Sequence, residues 1–314
     1  MHYRKVLGLF LGVLAGFLAT AQELYIFTDP ASNIPANALS LRVNTMVMPM
    51  RNLHPDQLGA ATSLRVSTDL AYGISKNLMA KAALYGSDMF QPRWRYEAAS
   101  FSAKYRFLSR DNFHSHTRMA AFGKIAFSRN PYTMPVGLRH FYPDGNGGTY
   151  PHDETIQHGA DEQQLEGNHS GWQAGIIATR LEHKLALSAS ISALSRFDNG
   201  RFSVPENYAS SAMQYSISAG YLLFPREYAS YGQTNLNLYA EFIGQSTLDR
   251  QGNFMDAAPG VQWIFSSKAR LDLAYRFQLW GDMRRFNRQM ALVRFEYNWL
   301  QALRKKDKAS PPSN

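Results

Sequence analysis

One pattern constrains this chain more than any other. In runs of about ten residues apolar and polar side chains alternate, and the breaks between runs alternate long and short. In the stretch Leu271, Asp272, Leu273, Ala274, Tyr275, Arg276, Phe277, Gln278, Leu279 the odd positions are all large and apolar, and the even ones include Asp272, Arg276 and Gln278. Successive side chains of a strand point to opposite faces, so such a run has one greasy face and one wet face.

The N-terminus says where such strands go. Arg4 and Lys5 precede an apolar run from Val6 to Leu18, and Ala19-Thr20-Ala21 follows as a small-x-small cleavage site. Residues 1–21 therefore read as a secretory signal peptide, with Gln22 as the mature N-terminus. No later run approaches the eighteen or so apolar residues of a spanning helix, so a membrane role must come from strands. Together these features predict an all-β chain: a transmembrane antiparallel β-barrel of about twelve strands in the outer membrane of a Gram-negative bacterium. The barrel would take up 22–300, with 301–314 as a basic periplasmic tail. The chain has no Cys, which excludes a lipoprotein anchor, disulfides and thiolate chemistry. Its net charge of +9 would suit nucleic acid, but the cations are spread singly along polar strand faces. The dense run Arg304, Lys305, Lys306, Lys308 reads as a solvated tail. The negative mean hydropathy fits a barrel, in which only every second strand residue meets lipid.

The predicted strands are 38–48, 62–74, 78–86, 96–108, 117–127, 172–181, 185–194, 213–223, 235–244, 255–265, 270–280 and 290–299. Before them, 23–37 holds two prolines and several turn formers and reads as an irregular lead-in. Long breaks fall at 49–61, 87–95, 128–170, 195–212, 245–254 and 281–289; short ones fall at 75–77, 109–116, 182–184, 224–234 and 266–269. Short periplasmic turns and longer external loops are the bacterial pattern, which puts both termini in the periplasm and 128–170 outside. Strands running toward the periplasm end in aromatics: Tyr72, Tyr105 with Phe107, Tyr221, Trp263 with Phe265, and Tyr297 with Trp299. A soluble sandwich would alternate too, but would not need aromatic residues along one rim. The last strand, Arg294 to Trp299, resembles the aromatic-ended strand that barrel-assembly machinery recognises; Leu300 to Asn314 extend beyond that pattern.

Several segments resemble a group of outer-membrane β-barrel proteins of Bacteroidetes without an assigned activity. They are Glu23 to Asn37, His114 to Gly123, Thr234 to Leu238 and Arg270 to Arg276. The resemblance spans the mature chain. More distantly it extends to barrels assigned as transporters, including those linked to aromatic-compound degradation. It implies fold and compartment, points to transport, and brings no catalytic motif.

The residues offer three kinds of chemistry. An outer-membrane lipid hydrolase needs a Ser–His pair on the lipid-facing wall, yet His114, His116 and His183 fall in turns, so the chain reads as a non-enzyme with hydrolase in third place. The long break 128–170 contains His140, His152, His158 and His169 among Asp153, Glu154, Asp161, Glu162 and Glu166, suitable ligands for a divalent metal. Their spacing matches no fixed motif, Gly145-Asn-Gly-Gly148 implies flexibility, and a solvated loop is the simpler reading. The polar phase of the strands places Arg42, Arg65, Lys81, Lys104, Arg106, Arg118, Lys124, Arg270, Arg276 and Arg294 in the lumen, against Asp69, Glu241, Asp272 and Glu296. Rings of Arg and Lys favour anions in pores, whereas Arg–carboxylate networks can instead fill and brace a barrel.

The leading expectation is passage of small polar, anionic solutes by passive or facilitated diffusion. The alternative is a structural or surface barrel whose 128–170 loop binds a ligand or metal. The expected partners are outer-membrane lipid, the assembly machinery and a small solute, with no nucleic acid and no cofactor.

Overall fold

The computed structural model describes residues 25–50, 53–58, 62–113, 115–225, 232–249, 252–300 and 302. The expected signal peptide, His114 and nearly all of the basic tail lie outside the described residues. The strands are β1 (Leu39–Pro49), β2 (Thr62–Gly73), β3 (Leu78–Ser87), β4 (Arg95–Asp111), β5 (Ser115–Ser128), β6 (Thr133–Pro143) and β7 (Thr149–Gly159). There follow β8 (Ser170–Glu182), β9 (Leu185–Phe197), β10 (Ser211–Phe224), β11 (Asn235–Thr247), β12 (Asn253–Phe265), β13 (Ala269–Gly281) and β14 (Gln289–Trp299).

Twelve of these close into one antiparallel barrel in the order β1-β14-β13-β12-β11-β10-β9-β8-β5-β4-β3-β2. Each matches one of the strands expected from alternation. Leu39 pairs with Trp299, so the first and last strands meet and no edge is left open. The same pair places the start of β1 and the end of β14 at one rim, the terminal rim; the long connections gather at the other, the loop rim.

Alternation is visible as burial. Along β1 every even position from Ser40 to Met48 is buried and the odd ones are not. The outward set is apolar, with Leu64, Leu70, Phe101, Ile217, Phe242 and Leu273 open on the outer wall. Only lipid makes such a surface favourable. Tyr105, Phe107, Tyr221 and Trp299 are exposed near the terminal rim, as expected. Trp94, Tyr96, Phe127, Trp172 and Trp280 form a second aromatic belt near the loop rim, completing the paired girdles of a membrane barrel.

Two features depart from the sequence reading. First, 128–170 is not a shapeless loop. β6 and β7 pair into a separate two-stranded hairpin with Thr133 opposite Gly159 and Pro143 opposite Thr149. Alternation did not reveal it because most of β7 is exposed on both faces, so nothing selects one apolar side. The Gly145–Gly148 stretch turns the hairpin, with Asp144 Oδ1 accepting the N–H groups of Asn146 and Gly148 at 2.8 Å each. Second, the lumen is not uniformly wet. Met46, Met48, Met50, Met290 and Leu292 point inward and join one buried cluster with Tyr25, Ile26, Phe90 and Phe286. Inward apolar residues need something to pack on, and two inserted segments supply it.

Candidate functional site: a chamber between two lumen inserts

The first insert, here the floor, is the lead-in 25–38, which lies inside the barrel and not below it. Its backbone is read by side chains from the wall. The Glu241 carboxylate on β11 accepts the N–H groups of Ile26 at 2.9 Å, Phe27 at 3.0 Å and Thr28 at 2.8 Å, and the Thr28 hydroxyl at 2.7 Å. Arg294 on β14 donates to the carbonyls of Tyr25 and Ile26 and, through Nε, to Asn44 Oδ1 at 2.6 Å. Lys104 on β4 donates to Pro30 O at 2.7 Å, Thr179 on β8 accepts Ala31 N–H at 2.9 Å, and Arg118 on β5 donates to the Ser32 hydroxyl at 2.9 Å. Asp29 pairs with Lys81 on β3 at 3.2 Å and lies 3.6 Å from Arg42 on β1. The floor thus crosses the lumen, tied to strands all round the wall.

The second insert, the roof, is 160–169, which returns from the β6–β7 hairpin into the barrel near the loop rim and packs on 283–287. Here side chain meets side chain. Asp161 pairs with Arg284 at 2.6 Å and Glu162 with Arg285 at 3.0 Å; Arg285 also binds Asp256 at 2.7 Å. Glu166 pairs with Lys124. Arg65, with none of its side chain exposed, binds Glu97 at 2.9 Å, Asn168 Oδ1 at 2.5 Å and the Glu166 carbonyl at 3.1 Å. Gln163 and Gln245 exchange bonds, N–H to Oε1 at 2.7 Å and Nε2 to O at 3.0 Å.

Between floor and roof lies a cavity of about 200 Å³. Its charged arc comes from β1 to β5: Lys81, Ser102 and Lys124 are cross-strand partners in one row, with Arg42, Asp69 and Lys104 nearby. The facing arc, from β8 to β10, is neutral: Gln173, Ser190, Ser192 and Gln214, with Gln173 Nε2 donating to the Ser192 hydroxyl at 2.9 Å. Arg276 joins the two inserts. It binds Asp256 at 2.6 Å, lies 3.7 Å from Glu162 in the roof, and sits 5.6 Å from the ring centre of Phe27 in the floor.

Of the three insert carboxylates that border this chamber, Asp29, Glu162 and Glu166, the first and last are held below their usual range. Burial by itself would raise Asp29, but Lys81, Lys104 and Arg42 outweigh it and hold the carboxyl well below the usual range. Burial would likewise raise Glu166, and Lys124 lowers it. Each has about two-fifths of its side chain open, 41% for Asp29 and 42% for Glu166, and that open face borders the chamber. His169 is pushed well below the usual histidine range by burial, with Arg196 and Arg65 adding to the effect. It stands neutral, stacked on Tyr132 at 5.4 Å between ring centres.

Of the lumen residues read from the sequence, Arg42, Asp69, Lys81, Lys104, Lys124, Arg276 and Arg294 line the chamber. The others do not. Arg65 is locked in the roof and Glu241 holds the floor. Arg106 donates to the Lys76 carbonyl at 2.6 Å and Arg118 lies 3.6 Å from Asp111, both near the terminal rim. Arg270 and Arg42 share Glu296 at 3.2 and 2.9 Å, and Asp272 accepts from Gln262 at 2.7 Å; these brace the wall.

The expected excess of lumen cations is largely answered by acids that alternation did not count. Asp29, Asp161, Glu162 and Glu166 arrive on the inserts. Glu97 is turned inward by a bulge: Tyr85 pairs with Ala98 and Gly86 with Tyr96, leaving Glu97 between pairs on the lumen side. Asp256 was in the inward phase of its predicted strand and could have been found there.

The candidate metal ligands do not converge. His140 faces His152 across the hairpin and binds Glu154 at 2.9 Å and Asp56 at 3.3 Å. His158 bonds the Arg285 carbonyl at 3.2 Å, and His169 Nδ1 accepts Gln164 N–H at 3.2 Å. No group of three or more ligands forms among the described residues. His116 pairs with Asp111 at 2.7 Å, and none of His116, His140, His158 and His169 has a serine hydroxyl among its partners.

Among solved structures, an outer membrane channel from Pseudomonas putida F1 matches 88% of this chain and 100% of its own at a TM-score of 0.52 and 10% identity. The chain has the fold of a Gram-negative outer-membrane β-barrel. The beta domain of the Bordetella autotransporter BrkA matches 83% of this chain and 99% of its own, at 11% identity and a TM-score of 0.44. The CymD monoaromatic hydrocarbon channel matches 84% and 88%, at 9% identity and a TM-score of 0.37. No protein-family profile matches the chain, and no curated protein matches it in sequence.

Proposed function

We propose that this barrel passes small polar solutes, anions before cations, by facilitated diffusion through the chamber. The observation that carries this reading is a polar cavity inside a membrane barrel, lined by six cations (Arg42, Lys81, Lys104, Lys124, Arg276, Arg294) and four carboxylates (Asp29, Asp69, Glu162, Glu166). The solved barrel of like fold from Pseudomonas putida F1 is a channel, which supports transport for this one. The terminal rim is the periplasmic side and the β6–β7 hairpin stands outside the cell, since long connections are external in bacterial barrels. The floor must shift for a solute to leave.

Planar bilayers test the reading. In a salt gradient the reversal potential should show anion preference, strongest in dilute salt, because the screening length falls from about 10 Å at 0.1 M to about 3 Å at 1 M. Glu241→Ala, which removes the main grip on the floor, should raise the current. The two inserts favour a second reading, a structural barrel with a filled lumen. A folded barrel that carries no current at any salt, with or without Glu241, would establish that reading and overturn transport. An epitope at Asn146, at the hairpin tip, should be accessible on intact cells; protection there would reverse the topology.

A further inference from the structure

The outer wall carries free positive charge where the apolar column of β5 ends. That outward column runs Ile125, Phe127, Arg129. The first two are exposed, and the arginine follows just beyond Ser128, the last residue of the strand. Arg129 N–H still bonds Glu97 O at 2.9 Å, so it continues the strand and its outward phase. Its guanidinium lies over the ring of Tyr96, 5.9 Å from the centroid. Tyr96 and Trp94 are exposed members of the loop-rim belt. The Trp94 indole lies against Gly86 of β3, where a Cβ would come within 3.0 Å of it. Arg93, next to Trp94 in the chain, is exposed as well.

The acids close to this patch in sequence are engaged elsewhere. Asp88 accepts Leu64 N–H at 2.8 Å, Glu97 is turned inward onto Arg65, and Asp198 accepts Val204 N–H at 2.9 Å and the Ser203 hydroxyl at 3.3 Å. Among the described residues, neither Arg93 nor Arg129 has an ion-pair partner or a hydrogen-bond acceptor for its guanidinium.

Depth in the membrane decides what such a group meets. Apolar, aromatic and cationic side chains follow one another along a single column, which puts the guanidinium at headgroup level. An arginine there stays charged and offers phosphate oxygens a fork of N–H groups.

We infer that Arg129, with Arg93, holds a phosphate on the headgroup of an outer-leaflet glycolipid against the belt of Trp94, Tyr96 and Phe127. The acyl chains continue down the exposed wall over Ile125 and Phe101. That continuity with the lipid-facing wall is what favours a lipid phosphate over a free one. The inference is independent of transport and rests on the preceding reading only for placing the loop rim outside the cell.

Native mass spectrometry of the refolded full barrel in detergent tests it. The probes are lipid A bearing both phosphates, the same lipid A stripped of them, and inorganic phosphate. The phosphorylated lipid should bind at least about tenfold more tightly than the stripped one, and equal inorganic phosphate should not displace it. Arg129→Gln should weaken its binding about fivefold, and Arg93→Gln with Arg129→Gln more than about tenfold. Arg110→Gln, at an exposed arginine of the opposite rim, should change nothing. All three side chains are exposed, so the variants should fold, which heat-modifiable migration in gels checks. Equal binding of the stripped lipid would show that the belt needs no arginine. Displacement by inorganic phosphate would mark a soluble-anion site, and an equal loss in Arg110→Gln would mark a general effect of charge. Each of these, or unchanged affinity in the folded double variant, overturns the inference. A protected epitope at Asn146 would overturn the outer-leaflet assignment even where lipid A binds.

Discussion

Floor and roof fill the same lumen with different balances of contact. The floor is held through its backbone: Glu241, Arg294, Lys104 and Thr179 grip N–H and C=O groups that any sequence would present. The roof is held mainly through its side chains, in the pairs Asp161–Arg284, Glu162–Arg285 and Glu166–Lys124 and the bond from Arg65 to Asn168, and Arg65 and Arg285 are themselves fixed by buried Glu97 and Asp256. A backbone grip can slip by a residue and form again. A buried ion pair cannot, because removing either partner strands a charge in low dielectric. The comparison therefore assigns the movable part to the floor and the fixed part to the roof.

The largest effect should come from breaking the roof. Arg65→Ala leaves Glu97 buried and unpaired and should destabilise the barrel by about 3–5 kcal/mol, read from urea unfolding in detergent or lipid. A loss under 1 kcal/mol would mean that the roof is no more fixed than the floor.

Next, Glu241→Ala leaves three floor N–H groups without an acceptor, at about 1–3 kcal/mol. That loss should appear as floor opening more than as global unfolding. The chain has no Cys, so Ser32→Cys gives a single label site, buried in the wild-type barrel. Thiol labelling there should speed up in Glu241→Ala while labelling of Ala160→Cys, in the roof, stays slow. Equal acceleration at both sites would break the distinction.

A third test uses close backbone approach. A Cβ at Gly73 would sit 2.0 Å from the Pro35 carbonyl oxygen, where the floor leaves the barrel over β2. Gly73→Ala must push floor from wall, costing about 1–3 kcal/mol, and should raise labelling at Ser32→Cys. At Gly167, φ is +114° and a Cβ would lie 2.9 Å from the Arg65 guanidinium, so Gly167→Ala should disturb the roof and spare the floor.

The smallest effect is with pH. His169 is neutral when docked, with its proton affinity lowered by burial. The undocked roof binds a proton below about pH 6.5 and the docked one does not, so roof stability is full above that pH and declines as pH falls below it. Asp29 is also lowered, so its contribution to the floor is full above about pH 3.9 and fades only as pH drops further. Between pH 6.5 and 4, the labelling rate at Ala160→Cys, taken relative to a free thiol at the same pH, should rise. A rise at Ser32→Cys alone would reverse the assignment.

The strands were legible because each has one face on lipid. That demand writes a period of two into the sequence, and it fixed all twelve barrel strands and the inward phase of residues such as Arg42, Lys81 and Arg294. Where the demand lapses, the signal lapses with it. β6 and β7 are not part of the barrel wall, and β7 carries no such period; Glu97 escaped because one bulge shifts the phase; the lead-in and 160–169 looked like turns and acidic loop because irregular backbone satisfied by wall side chains leaves no periodic mark. Those are the segments that decide whether the cations line a channel or answer a carboxylate. The sequence alone determined the barrel, its inside and outside, and which strand cations face inward. Only the tertiary structure decided that the chain folds two pieces of itself into the lumen, because partners far apart in sequence, such as Thr28 with Glu241 and Glu162 with Arg285, meet only once the barrel closes around them.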